Sequence, residues 1–416
     1  MQTQMNIARK QIEHERSLNT QDQQYYLNAN TEKLRNEIVY AKTIVGAKFF
    51  NEEKWEEANK MANDVLNITD FDGPPLHRLS RILMKAIKAG CHNHIEQSGK
   101  PVHLCAGNLY SDHTKPISMI KAYDLLASAT PFIKFAYNAI NLAILSQSAH
   151  ANALHIIDIG IGSGHQWSAL FAILKGTSFL PTKIRITAID IPSTEQTLQA
   201  VKERLSEEAK ELGIEFCFTP LIGKAEEISF TDIEQEKDEF LIVNAVLALH
   251  HTPSDDAVII PERSRDALLS RLRQINPQLL TIVEPDSNHN NLPFKERCHE
   301  SLQHYLHIFN AFDHLFSRHL QERIILENEF FGRELVNILT ADGADRVERH
   351  ERKEVWSERL QKANFACLEN AFQKGSRTLK SIVPMAAPFE IYQSPHALCL
   401  NVDQVPVLAA SCWRPI

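Results

Sequence analysis

Little in this sequence points to a membrane, a secretory route or a nucleic acid. No run is long and apolar enough to span a bilayer: the most apolar window, Phe132–Leu145, is broken by Lys134, Asn138 and Asn141. The opening residues, MQTQMNIARKQIEHERS, hold no apolar core of a secretory signal. The seven cysteines (Cys91, Cys105, Cys217, Cys298, Cys367, Cys399, Cys412) are scattered and odd in number. That argues against a disulfide framework and for reduced thiols in the cytoplasm. Basic residues are not in excess: 44 Lys and Arg against 52 Asp and Glu give a net charge of −8. A protein built to grip a phosphate backbone needs the opposite balance, so nucleic acid is not an expected partner. Fixed-period repeats and low-complexity linkers are absent as well. The remainder is ordinary globular composition, 44% hydrophobic and 23% charged, in a chain of 416 residues. Such a length suits two domains or one large domain with an insertion.

Glycine is scarce too, and this scarcity is informative. The chain has 14 glycines, yet three fall at positions 160, 162 and 164, inside Leu154–Trp167, LHIIDIGIGSGHQW. The stretch begins as an apolar run, a candidate buried strand. Four more such runs follow: Ile184–Ile189, Phe216–Leu221, Phe240–Val243 and Leu279–Val283. Helix-length segments Trp167–Leu174, Ser193–Leu212 and Ser264–Ile275 lie between several of them. Alternating strands and helices predict parallel pairing in a sheet covered on both faces. Before this region, 41–150 reads mostly as helix, with an apolar stripe at Trp55, Ala58, Met61, Ala62 and Leu66 and a helix opened by Pro131 over Phe132–Ala149. Residues 1–40, rich in Gln, Asn and Glu, read as a helical or disordered arm. Residues 293–375 return to charged, helix-like sequence, and Phe389–Tyr392, Leu398–Val402 and Val407–Cys412 read as short strands.

In an open α/β sheet, a ligand sits beyond the carboxyl ends of the strands, and the first strand–helix turn is its usual cradle. Gly160, Gly162 and Gly164 lie in that turn, where a bare backbone lets a ligand approach. A dinucleotide fingerprint would place a third glycine where His165 stands. The spacing here, D-x-G-x-G-x-G, suits S-adenosylmethionine. Its ammonium seeks a carboxylate such as Asp158, and Asp190, after the second strand, is placed for the ribose hydroxyls. A tight turn with no ligand is the alternative. After the fourth strand, Asn244 is a candidate for the methionine or substrate side, and His250 or His251 for a general base. Local packing of either histidine is the competing reading. Glu284 and Asp286, after the fifth strand, either bind a substrate cation or cap a helix near Asn288.

These residues resemble a known family. LHIIDIGIGSGHQW is similar to the V-H-I-I-D motif of GRAS proteins, with the G-x-Q-W ending kept as Gly164-His165-Gln166-Trp167. HRLSRIL (77–83) and SATPFIKFAYNAINLAIL (128–145) resemble the segments upstream of it, and FLIVNAVLALHHTP (240–253) the V-N-x-x-x-x-L-H-H segment. TIVEPDSNHNNLPFKERCHESLQHY (281–305) is similar to the segment that carries the P-F-Y-R-E region. ERIILENEFFGRELVNILTADGADRVERHERKEVWSERLQKANF (322–365) resembles the E-R-x-x-x-E, G-R-E and R-x-E-R-H-E blocks, and Ser411-Cys412-Trp413-Arg414 the S-A-W ending. The likeness covers roughly 45–416.

The resemblance implies an α/β fold: a Rossmann-like class I methyltransferase sheet, mostly parallel with an antiparallel C-terminal strand, under an α-helical cap. The expected division is an arm over 1–44, cap over 45–150, core over 151–292, cap insertion over 293–350 and core completion over 351–416. Plant members are transcriptional regulators that act through protein contacts; bacterial relatives resemble small-molecule methyltransferases. Gly160 and Gly162 stand where plant motifs carry other residues, and only about 45 residues precede the shared region. Both features favour a bacterial-type, S-adenosylmethionine-dependent enzyme acting on a small molecule. A catalytically silent interaction protein, binding protein partners through its cap, and a ligand-sensing regulator are the alternatives, and a homodimer stays open. Cap candidates for acceptor contacts are Arg297, Tyr305 and Arg333, set against an Arg333–Glu327 ion pair and a core role for Tyr305. Trp413 and Arg414 are expected to pin the last strand, and RVERHERKEVWSER (346–359) to form a solvated helix face. Cys91, His94, His103 and Cys105 lack zinc-finger spacing, so no metal is expected.

Overall fold

A computed structural model describes residues 20–96, 116–177, 180–191, 195–254 and 260–416. The chain divides into two units, 1–99 and 100–416. The first is helical, built from Thr20–Asn51, Trp55–Ile68 and Pro75–Glu96. Ala58, Ala62 and Val65 are buried on the middle helix at the spacing of one helical face. Gly46 lets the first helix come close: a Cβ there would lie 3.1 Å from Met84 Sδ and 3.2 Å from Met61 Cγ. Arg81 donates to the carbonyls of Leu66 and Thr69, both at 2.7 Å, and so receives the carboxyl end of the second helix. The arm read over 1–44 is helical from Thr20 onward, and its first 19 residues lie outside the described ones.

The second unit is a sheet with helices. Five parallel strands, β1 (Ala153–Ile159), β2 (Lys183–Asp190), β3 (Glu215–Ile222), β4 (Glu239–Val246) and β5 (Leu279–Pro285), lie in the order β3-β2-β1-β4-β5. All five expected runs are strands. β1 is buried from its second residue on, as a central parallel strand covered on both faces must be. Four strands follow: β6 (Phe365–Cys367), β7 (Phe389–Gln393), β8 (Leu398–Val402) and β9 (Val405–Pro415). β9 runs antiparallel beside β5 with Leu280 opposite Trp413, and β8 and then β7 continue outward. The C-terminal part of the sheet is therefore several antiparallel strands rather than one. Trp413 is 2% exposed, as expected of a residue that pins the last strand.

One face of the sheet packs Ile157, Val243, Leu280 and Ile282 against Leu268, Leu272, Trp356 and Leu360 from two helices, Arg265–Gln274 and Lys353–Lys362. Elsewhere, the helix Pro131–Gln147 carries Phe132, which meets Phe312, Phe331 and Phe389 at 6.4, 5.7 and 5.6 Å between ring centroids. Each such pair adds about 0.5–1.5 kcal/mol beyond area burial. Phe331 ends a π-helical turn, Leu326–Phe331, which joins Gln321–Ile325 to Gly332–Thr340.

One expectation fails here. Residues 346–352 are not a helix face but an extended strap, and the helix begins only at Lys353. Glu348, Arg349, His350 and Glu351 are each 1–2% exposed, so charges read as solvated lie inside the protein.

Candidate functional site

Two groups of residues sit at the carboxyl edge of the parallel strands. The first is the glycine turn between β1 and the helix His165–Leu174. Gly160, Gly162 and Gly164 have φ of 80°, 52° and 67°, a region costly for residues with a Cβ. Their surroundings differ. A Cβ at Gly160 would lie 3.1 Å from Ala248 Cβ, and one at Gly164 only 2.5 Å from Val201 Cγ1. A Cβ at Gly162 would meet no described atom within 4 Å. Gly160 and Gly164 are thus demanded by packing, whereas no described residue crowds Gly162. Asp190 braces this turn: its Oδ2 accepts from the Gly162 N–H and its Oδ1 from the Ile191 N–H, both at 2.8 Å.

Asp158 is engaged within the protein. Its Oδ2 accepts from Trp167 Nε1 at 2.6 Å and its Oδ1 from Asn244 Nδ2 at 2.7 Å. Burial pushes its carboxyl up to about 7, against those two bonds. Asn244, fully buried, is held in turn: Thr281 Oγ1 donates to its Oδ1 at 2.9 Å, and its Nδ2 donates to Gln166 Oε1 at 3.1 Å. The residues expected to grip a methionine moiety instead tie β1, β4, β5 and the following helix together. The Trp167 of the G-x-Q-W ending is the reason, because a buried indole N–H must find an acceptor.

The second group surrounds His250 and His251, on a short turn after β4. Leu247 precedes it in the left-handed region, φ 55°, with its N–H donating to Val283 at 2.8 Å. Glu284 closes the turn: Oε1 accepts from the Leu249 N–H at 2.8 Å, and Oε2 lies 2.5 Å from His250 Nδ1. Burial raises the Glu284 carboxyl to about 7. Burial also lowers His250 and His251 to about 3, which makes each a weak proton acceptor. Asp286 accepts from both the backbone N–H and the Nζ of Lys353, at 2.9 and 3.0 Å. Both carboxylates are therefore engaged within the protein, and among the described residues neither accepts from a backbone N–H near Asn288.

The cap candidates are also internally engaged. Tyr305 is fully buried, donates to Glu334 at 2.8 Å and stacks on His289 at 5.9 Å. Arg333 pairs with Glu329 at 2.5 Å; Glu327, the partner expected of it, pairs with Arg323 instead. Arg297 donates to the Leu292 carbonyl at 3.2 Å and lies over the Phe294 ring. Of the cysteine–histidine group, Cys91 is buried, while His103 and Cys105 lie outside the described residues.

The structure adds residues that the sequence did not single out. Glu348, His350 and His289 join the histidine turn, and Arg265, fully buried, binds Glu351 at 2.8 Å and the carbonyls of His250, Thr252 and Arg349 at 3.1 Å. The Arg265 guanidinium lies over the Trp356 ring at 4.8 Å. Near the glycine turn, the Tyr123 and Tyr137 hydroxyls share a hydrogen bond of 2.6 Å. Burial raises Tyr123 to about 12, with Asp158 and Asp124 adding to it. The strap was visible as a motif, but its charge density marked it as solvated. Tyr123 carried no spacing signal.

The model of the GRAS domain family matches residues 42–414. A rice relative (Oryza sativa subsp. japonica), chitin-inducible gibberellin-responsive protein 1, is 30% identical over 372 residues, 88% of this chain and 64% of its own length. Scarecrow-like transcription factor PAT1 of Arabidopsis thaliana is 29% identical over 88% of this chain and 74% of its own. Against several such relatives, the chain spans between a half and two-thirds of their length. Among solved structures, SCL7 of Oryza sativa superposes with a TM-score of 0.72 at 27% identity, covering 85% of this chain and 94% of that one. These relatives are plant proteins and lend no support to a bacterial type. Among the described residues, no helix is long and apolar enough to cross a membrane.

Proposed function

The chain belongs to the GRAS domain family, and from that membership we propose that it is a regulatory protein acting through protein contacts, not a methyltransferase. One observation carries this reading: each oxygen of Asp158, the acid best placed to hold a sulfonium donor, already accepts a hydrogen bond inside the protein, from Trp167 or from Asn244. The plant relatives support it, one being named a gibberellin-responsive protein and another a transcription factor. Their names also move the expected compartment from the cytoplasm to wherever transcription takes place. Protein partners meet the helical cap, and the carboxyl edge of the sheet serves as internal architecture.

A second reading has its own observation. Gly162 leaves room above the turn, with Asp190 beside it, which supports binding of a nucleoside-class ligand such as S-adenosylmethionine without turnover. Calorimetry of the purified chain with S-adenosylmethionine, at up to about 1 mM, separates the two. The regulatory reading expects no saturable heat and no labelled product when methyl-labelled donor is incubated with small-molecule extracts. Saturable binding that Gly162→Val abolishes, with the fold intact and no product, favours the sensing role. Labelled product would sink both and restore the methyltransferase.

A further inference from the structure

Three buried side chains converge beside the histidine turn. His250 Nε2 lies 3.5 Å from Glu348 Oε2, and His350 Nε2 lies 3.0 Å from the same oxygen. The ligand atoms of the three residues all fall within 4.8 Å of one another. The tautomers matter. His250 Nδ1 sits 2.5 Å from Glu284 Oε2, and with its proton there Nε2 presents a lone pair to Glu348. Two acceptors then face each other across 3.5 Å inside the protein, which is unfavourable unless a positive centre lies between them. Glu348 supplies an independent sign: its residue is 1% exposed, and its Oε1 is buried without a hydrogen-bond partner.

We propose that His250, His350 and Glu348 bind a divalent first-row transition metal, zinc foremost, which fastens the strap 346–352 to the turn 249–251. Two imidazoles and a carboxylate are a donor set that such ions accept. At metal–ligand distances of about 2.0–2.2 Å, tetrahedral ligands lie about 3.3–3.6 Å apart; the two imidazole–carboxylate spacings here, 3.5 and 3.0 Å, fall beside that range, and all three ligand atoms lie within 4.8 Å of one another. Each imidazole also has its second nitrogen held. Glu284 holds that of His250; His289 Nδ1, at 2.9 Å, holds that of His350, and Ser287 Oγ holds His289 Nε2 at 2.9 Å. Such outer partners fix the tautomer and ring orientation of a metal-ligating histidine. His251 borders the site: its Nδ1 lies 3.6 Å from Glu348 Oε1, and its ring, 24% exposed, gives an ion a way in. A water completes the coordination. This site goes beyond the regulatory reading and does not depend on it.

The test uses the full chain, freed of metal and then titrated with cobalt(II), and in parallel loaded with zinc and passed through gel filtration before elemental analysis. The expected result is a visible-region cobalt spectrum of tetrahedral intensity that saturates at one equivalent, and one retained zinc. Glu348→Gln and His350→Gln lose both, while Arg333→Ala, at a partly exposed pair outside the cluster, keeps both. Zinc raises the melting temperature of the unsubstituted chain and leaves that of Glu348→Gln unmoved. The proposal is overturned if the unsubstituted chain, folded by circular dichroism, retains under a tenth of an equivalent and gives no such spectrum; a proton then bridges His250 and Glu348. It is equally overturned if both substituted chains keep a full equivalent, which puts the ion elsewhere. Because the first criterion needs no substitution, a variant that fails to fold leaves the proposal testable.

Discussion

The glycine turn and the histidine turn leave the same edge of one sheet from neighbouring strands, β1 and β4, and are built by opposite means. The first is backbone: three positive-φ glycines, an aspartate that accepts amide N–H groups and no described atom within 4 Å of a Cβ at Gly162. The second is side chain: buried Glu, His and Arg residues from distant parts of the chain, each engaged with the next. A cradle made of backbone tolerates whatever fits the space. A buried polar cluster holds only if its members find partners, because an unpaired charge in low dielectric is expensive. The edge is thus divided between a turn shaped by backbone and a cluster of side chains that holds the strap.

That contrast can be broken most severely at Arg265. Arg265→Leu removes one of two arginines paired with Glu351, Arg359 being the other, together with the buried donor to the carbonyls of His250, Thr252 and Arg349, and should cost about 3 kcal/mol in chemical denaturation. A loss under about 1 kcal/mol would mean that the strap is not held by its charges. Within the glycine turn, two substitutions of the same chemistry should differ. Gly164→Ala meets Val201 at 2.5 Å in addition to the left-handed backbone, whereas Gly162→Ala meets only the backbone cost. The first should cost about 2–4 kcal/mol and the second about 1 kcal/mol. Equal melting temperatures for the two would contradict the difference in their surroundings.

A smaller effect concerns pH, outside both turns. His155, buried in β1 and 2.9 Å from Thr187 Oγ1, is lowered to about 4, first by burial and then by Arg185. Its folded pKa lies below the unfolded one, so the neutral ring favours folding above about 6.5, and that contribution is lost as pH falls toward about 4. Between pH about 6.5 and 5.5, the stability advantage of the natural chain over His155→Gln should shrink by about 1 kcal/mol. A constant difference across that interval would show that the ring is not held neutral. The smallest effect is expected at Arg333, whose pair with Glu329 is partly exposed, 22% and 39%. Arg333→Ala should change stability by no more than about 0.5 kcal/mol. A loss several times larger would return Arg333 to the candidates for a buried role.

Much of the fold was legible because its signals are local. Apolar runs of strand length, separated by helix-length amphipathic segments, dictate a parallel sheet without knowledge of any contact. Glycines alternating after a strand-ending aspartate identify the turn. The roles of the site residues were less legible. Asp158 reads as a ligand group until Trp167, nine positions on, is seen to point back at it. Glu284 and Asp286 read as substrate groups until Leu249 and Lys353 claim them.

What the sequence determined by itself was periodicity, punctuation and kinship: the order of the strands' apolar runs, the bare turn at Gly160–Gly164, and the family motifs from 77 to 414. What only the tertiary structure decided was which charges are inside. The strap RVERHE has the composition of a solvated surface, yet Glu348 and His350 meet His250 across about a hundred residues of chain, and Arg265 meets Glu351 across nearly as many. A charge is affordable in a protein interior only beside its partner, and a partner that distant in the chain leaves no trace in local pattern.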